Sequence, residues 1–181
     1  MERLLILDSN SLLNRAFYAI PPLTNSEGIH TNAVYGFTNM LFKMKEEIKP
    51  DYIVAAFDRK APTFRHKEYE DYKAGRKKMP PELAEQFPII KEVLNLLAIN
   101  IYEIDGFEAD DIIGTLAKFA ESNGIEVFIV TGDRDALQLA TDNIKVVITK
   151  KGVTETAVYN KEAFEAEFGV DRKSTRLNSS H

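Results

Sequence analysis

The chain has 181 residues, 44% of them apolar, no cysteine, and a formal net charge of −5. That length accommodates one domain with a sizeable core, and the lack of cysteine excludes disulfides and thiolate zinc sites. The acidic balance excludes a uniformly basic surface, while leaving room for a local basic patch. The apolar run in MERLLILDSN is too short for a signal peptide or a membrane span, so the expected setting is reducing and cytoplasmic, with no membrane partner.

In chain order, residues 4–7 read as a buried strand and residues 10–20 as a helix stopped by Pro21 and Pro22. A polar loop follows. Residues 33–48 carry Phe37, Met40, Leu41 and Met44 at i, i+3, i+4, i+7, the stripe of an amphipathic helix. Residues 52–57 form a second strand. A helix over 82–97 opens at Pro80-Pro81, where proline is well suited. Residues 100–104 make a third strand, and 108–122 a helix ending at Gly124. A fourth strand spans 126–131, a short helix 134–140 and a fifth strand 144–149. Residues 157–159 form a short edge strand, and Asn160 caps the last helix. The alternation of apolar strands with helices predicts an α/β fold, with a mostly parallel central sheet flanked by helices on both faces. In such folds ligands sit at the carboxyl ends of the strands.

The stretch FEADDIIGTLAKF places Glu108, Asp110 and Asp111 in the first turn of a helix. The helix dipole offers about half a positive charge there, too little for three carboxylates. Asp8, Asp58, Asp133 and Asp135 each follow an apolar run, so topology brings seven carboxylates to one sheet edge. Taken singly, Asp8 reads equally well as a helix cap, and Asp110 or Asp111 as a complement to the dipole. Together they repel one another by about 1–4 kcal/mol per pair at about 4 Å. Hard cations offset that cost, and an oxygen-only donor set favours Mg²⁺ or Mn²⁺ over zinc. His30 and His66 lie in polar segments and read as surface residues.

Residues 59–78, RKAPTFRHKEYEDYKAGRKK, hold eight lysines and arginines against three acids, in an otherwise acidic chain. Tyr69, Tyr72, Lys73 and Arg76 share one face at helical spacing. Aromatics interleaved with cations, including Arg65 and Lys77, suit stacked bases and phosphates. The plainer alternative is a solvated basic loop. Its place beside the acidic edge points instead to a polyanionic substrate and to phosphodiester hydrolysis. Two cations would activate water and stabilise the leaving oxygen, while Lys73 and Arg76 hold the scissile phosphate and Asp58 and Asp111 complete the catalytic set.

The segments ILDSNSLLNRAFYA, FDRKAPTFRHKEYEDYKAGRKKMP, GFEADDIIGTLA and TGDRDALQL resemble the 5′-nuclease domains at the N-terminus of bacterial DNA polymerase I, members of the flap-endonuclease family on a PIN-like fold. The similarity runs in order over residues 1–170. It implies a 5′-3′ exonuclease and 5′-flap endonuclease for primer removal and repair. It further implies a monomer acting on DNA with a 5′ flap or 5′ end, or on an RNA primer–DNA hybrid, with a linked polymerase portion in the parent chain. Carried over by position, Asp8, Asp58, Glu108, Asp110, Asp111, Asp133 and Asp135 match the metal-binding acids of a two-metal site. Arg65, Tyr72, Lys73 and Arg76 match a basic arch over that site, and Arg15 a basic position near the first aspartate.

The departure from the family comes at the end. The family continues into a further aspartate-bearing segment and a helix-hairpin-helix element, and neither is present. Residues 171–181, DRKSTRLNSSH, read instead as a translated sequencing-adapter oligonucleotide. The second metal site is therefore expected to lack acids, the chain to bind Mg²⁺ or Mn²⁺ weakly, and cleavage to be poor. Two alternatives remain at this point. One is a non-catalytic nucleic-acid-binding fragment. The other is an aspartate-dependent phosphatase or phosphotransfer domain, which Asp8-Ser9-Asn10 serves poorly for want of a second aspartate.

Overall fold

The computed structural model describes residues 1–59, 78–150 and 155–169. Six strands form one sheet: β1 (Arg3–Asp8), β2 (Tyr52–Ala56), β3 (Asn100–Tyr102), β4 (Glu126–Thr131), β5 (Ile144–Lys150) and β6 (Glu155–Tyr159). Their order is β3-β2-β1-β4-β5-β6. Every pairing is parallel except β5 with β6. The helices are α1 (Ser9–Ala19), α2 (Asn32–Ile48), α3 (Pro81–Ala84), α4 (Gln86–Leu96), α5 (Ala109–Ser122) and α6 (Lys161–Phe168), with a 3-10 helix over Arg134–Leu139.

β1 explains the two-faced burial. Five of its six residues, all but Arg3, are buried, as expected for a central strand covered on both sides. Side chains alternate across the sheet. Leu5 and Leu7 join a core with Leu12 and Leu13 of α1, Phe37 and Met40 of α2, and Ile90 and Leu94 of α4. Leu4 and Ile6 join the opposite core, with Ile112, Ile113 and Ala117 of α5 and Phe164 of α6. By the same alternation Asp8 falls on the α5 side. The switch between strands whose connections run in opposite directions lies between β1 and β4. That is where an open α/β sheet opens a crevice at its carboxyl edge. The order is one shared with dinucleotide-binding folds, but the turn leaving β1 is Asp8-Ser9-Asn10-Ser11, with no glycine.

The expected helix over residues 82–97 is in fact two, α3 and α4, broken at Glu85. Pro88 supplies the reason: it has no N–H to give the carbonyl of Ala84, and its ring crowds that carbonyl. The break is put to use. Gln86 is fully buried, and its Oε1 accepts from the N–H groups of Ala33 (2.8 Å) and Val34 (3.1 Å). Its Nε2 donates to Asn32 Oδ1 at 2.9 Å. Thr31, at the N-cap of α2, makes no side-chain cap bond, so Gln86 caps that helix from another element. Beside it, the backbone N–H of His30 donates to Glu85 Oε1 at 2.8 Å, and its ring Nδ1 lies 2.8 Å from the same oxygen. His30 is therefore tied down, where the sequence reads as plain surface. The strand expected over 100–104 is shorter, and the edge strand expected over 157–159 begins at Glu155.

Gln86→Ala leaves one buried and one part-buried backbone donor unpaired, at about 1–3 kcal/mol for a fully buried donor and less for the other. The expected outcome is a drop of about 2 kcal/mol in unfolding free energy with unchanged far-UV dichroism, read from urea midpoints.

Candidate active site

Each candidate acid is held differently. Asp8 closes β1, is 5% exposed, and occupies the N-cap position of α1 without a side-chain cap bond. Its Oδ2 accepts from Thr131 Oγ1, at the end of β4, at 2.6 Å. The helix-cap alternative for Asp8 is thus not the arrangement adopted. Asp58 follows β2. Its backbone N–H donates to Asn10 Oδ1 at 3.0 Å, and its Oδ1 accepts from the N–H of Ala109, the first residue of α5, at 2.5 Å. Glu108 and Asp111 form a reciprocal capping box at the start of α5, with the Glu108 N–H donating to Asp111 Oδ2 at 3.1 Å. Asp133 caps the 3-10 helix, its Oδ1 accepting from the Asp135 N–H at 2.9 Å.

Electrostatics join these residues into one cluster. Burial, then the charges of Asp110, Asp58 and Asp133, push Asp8 up to about 7, against the opposing hydrogen bond from Thr131. Burial, then Asp133, Asp58, Glu108 and Asp111, push Asp110 up to about 6. Asp8, Asp110 and Asp135 line a common cavity of about 180 Å³ with Ile113, Gln138 and Leu139. The seven acids therefore share an edge but divide its work. Asp8, Asp110 and Asp135 face one cavity, Asp58 and Asp133 flank it, and Glu108 and Asp111 fasten the helix that delivers Asp110. Among the described residues, no three acidic or histidine side chains converge closely enough to chelate one ion as placed. In donor chemistry the cluster fits a hard divalent cation, since every candidate ligand offers oxygen, and Asp8, Asp110 and Asp135 line one cavity.

A second cleft, of about 600 Å³, adjoins the acids and is lined by Ser11, Asn14, Arg15, Tyr18, Gly132 and Asp133. Arg15 Nη2 donates to the Thr149 carbonyl at 2.7 Å, which fixes the guanidinium at this edge. Space at Gly132 is tight. A Cβ there would stand 3.1 Å from Arg15 Nε and Ser11 Oγ and 3.2 Å from Thr149 Oγ1. Arg65, Tyr69, Tyr72, Lys73, Arg76 and Lys77 lie outside the described residues, as do residues 171–181. The basic stretch is bounded at its start by Arg59, whose Nε pairs with Asp105 at 2.7 Å. Residue order alone does not single out Thr131, Ser11, Asn10 or Gly132. The Thr-Gly pair ahead of Asp133 is the one signal that points toward them.

The chain belongs to the family described as 5′-3′ exonuclease, N-terminal resolvase-like domain, which matches residues 3–169. Over 169 residues it is 50% identical to DNA polymerase I of Bacillus subtilis and 50% identical to DNA polymerase I of Geobacillus stearothermophilus. Each alignment covers 93% of this chain but 19% of the relative, so the chain spans about a fifth of those proteins' length. Among solved structures it is similar to a bacteriophage T5 flap endonuclease in a pseudo-enzyme–product complex with DNA and metal ions (TM-score 0.69, 20% identity, 94% of this chain and 62% of that one). It is likewise similar to the T5 5′-exonuclease with bound zinc ions (TM-score 0.68, 21% identity, the same coverages). The expected PIN-like architecture is the one observed.

The raised aspartates set a pH dependence for the metal-free chain. Unfolded, an aspartate loses its proton near 3.8; folded, Asp8 keeps it to about 7 and Asp110 to about 6. The folded state therefore holds more protons across that window. Stability is fully present below the unfolded value and falls as pH rises toward 7. At about 1.36 kcal/mol per unit, Asp8 contributes on the order of 4 kcal/mol. Asp110 contributes less because its shift is smaller and its side chain, only partly withdrawn from water, is screened by solvent. In chelator, urea unfolding free energy is expected to fall between pH 4.5 and pH 7.5, and Asp8→Asn to remove most of that slope.

Proposed function

We propose that the chain hydrolyses phosphodiester bonds in DNA bearing a 5′ end or 5′ flap, as a divalent-metal-dependent 5′-3′ exonuclease and flap endonuclease. One observation carries this reading: Asp8 at the end of β1, Asp110 in the first turn of α5 and Asp135 after β4 line one cavity at the carboxyl edge of the sheet, and the anchored Arg15 lines the cleft beside it. The DNA polymerase I relatives and the DNA- and metal-bound T5 nuclease support it. Asp8, Asp110 and Asp135 would hold the cation, assisted by Asp58 and Asp133, and by Glu108 and Asp111 through whichever oxygens their capping bonds leave. Mg²⁺ or Mn²⁺ bound there would lower the pKa of a water and neutralise charge on the leaving oxygen. The chain's own cations do the rest. Arg15 faces the cleft and binds a backbone phosphate, and Lys73 and Arg76, with Arg65, Tyr69, Tyr72 and Lys77, hold and neutralise the strand being cut. The carboxylates repel phosphate, so hydrolysis depends on these cations and the metal together. In this reading the parent protein removes primers and repairs DNA in the cytoplasm, as a monomer with a linked polymerase portion.

The capping roles of Glu108 and Asp111 favour one competing reading, a fragment that binds nucleic acid without cutting it. Cleavage of a 5′-flap DNA in Mn²⁺ separates the two. Asp110→Asn is expected to lower the cleavage rate by at least about 100-fold while retaining flap binding. Lys73→Ala is expected to weaken both. Flap binding by the unaltered chain with no metal-dependent cleavage, with or without a C-terminal extension taken from a relative, leaves the binding-only reading standing.

A further inference from the structure

Thr131 ends β4 beside Asp8 and is completely buried. Its hydroxyl makes two bonds that reach different candidate ligands. Oγ1 donates to Asp8 Oδ2 at 2.6 Å and accepts the backbone N–H of Asp133 at 3.0 Å. A hydroxyl has one proton and two lone pairs. The Asp133 N–H is a donor only and takes a lone pair, while the proton goes to the Asp8 carboxylate at 2.6 Å in preference to Ser11 Oγ at 3.5 Å. The neighbouring turn is held in the same way, with the Gly132 N–H donating to Ser11 Oγ at 2.9 Å. The register Leu7 opposite Val130 places Asp8 and Thr131 side by side at the ends of adjacent parallel strands. One oxygen atom therefore fixes the carboxylate leaving β1 against the backbone leaving β4.

We propose that Thr131 is a positioning residue for the cation site, its hydroxyl holding Asp8 Oδ2 and the Asp133 backbone in fixed relation so that the Asp8 carboxylate keeps one orientation at the cavity. This inference rests on the metal-dependent reading above. It needs the hydroxyl and not merely the β-branched shape, because strand packing is served equally by valine. Groups that orient metal ligands in this manner are worth about 10- to 100-fold in metal affinity.

The deciding experiment is Mn²⁺ titration of the full chain by calorimetry, with electron paramagnetic resonance of free Mn²⁺ as a second readout and thermal melting as a fold control. Thr131→Val keeps shape and loses the hydroxyl; Thr131→Ser keeps the hydroxyl. The expected result is about 10- to 100-fold weaker Mn²⁺ binding by Thr131→Val and near-native binding by Thr131→Ser. Should Thr131→Val fail to melt cooperatively, Thr131→Ala takes its place in the same comparison. Equal affinity of the valine variant and the unaltered chain overturns the proposal. So does equal weakening by serine and valine, which would make the effect one of packing. If the unaltered chain takes up no Mn²⁺, the metal reading itself falls and the proposal falls with it, a result distinct from the other two.

Discussion

Everything at the candidate site depends on the hydrogen-bond ladder that locks β1 between two parallel neighbours. Leu7 lies opposite Ala55 on β2 and opposite Val130 on β4. A slip of one residue on either side would turn Asp8 to the other face and bury Leu7 where a carboxylate now sits. The apolar alternation of β1 forbids that slip, since Leu5 and Leu7 have one core to fill and Leu4 and Ile6 another. Core packing thus sets the position of the acids, although no acid takes part in it.

The two edges of the sheet manage charge in opposite ways. At the amino end, Glu126 of β4 is paired with Arg3 at 3.2 Å and Lys145 at 2.6 Å, and those cations hold its carboxyl below the usual range. At the carboxyl end, burial raises Asp8 and Asp110 and neighbouring acids raise them further, with only the Thr131 hydrogen bond opposing at Asp8. The same fold neutralises charge where it only needs stability and accumulates it where chemistry is expected. Folding opposes ionisation at that edge, and a bound cation would remove the opposition.

Much of this was legible from residue order. The alternation of strand and helix patterns located all six strands and gave the parallel architecture. Asp8, Asp58 and Asp133 follow their strands closely, and Glu108 opens the helix after β3, so topology alone pointed them to one edge. What escaped the sequence shares one physical character: it depends on partners far along the chain. The break at Glu85 was locally visible in Pro88, but the pattern of apolar residues runs through it unbroken. Gln86 as a cap for α2, and Thr131 as a donor to Asp8, required a register that spacing does not supply. Sequence also could not divide labour among the acids. Glu108 and Asp111 carry the residue types of a ligand set and of a capping box alike, and only the bonds they make distinguish the two uses.

The cap that Gln86 gives α2 has a bearing on the order of assembly. Its contact with Ala33 closes a loop of 53 residues, which includes all of α2 after its first residue and the whole of β2. Helices nucleate locally, but the first turn of this one gains its partner only after a long closure whose entropy has to be met beforehand. The body of α2 and its contacts with α1 can therefore form early, with the amino end of the helix frayed until the segment after residue 78 docks. Amide exchange at Ala33 and Val34 accordingly reports on closure of the chain around β2, and not on the intrinsic stability of α2.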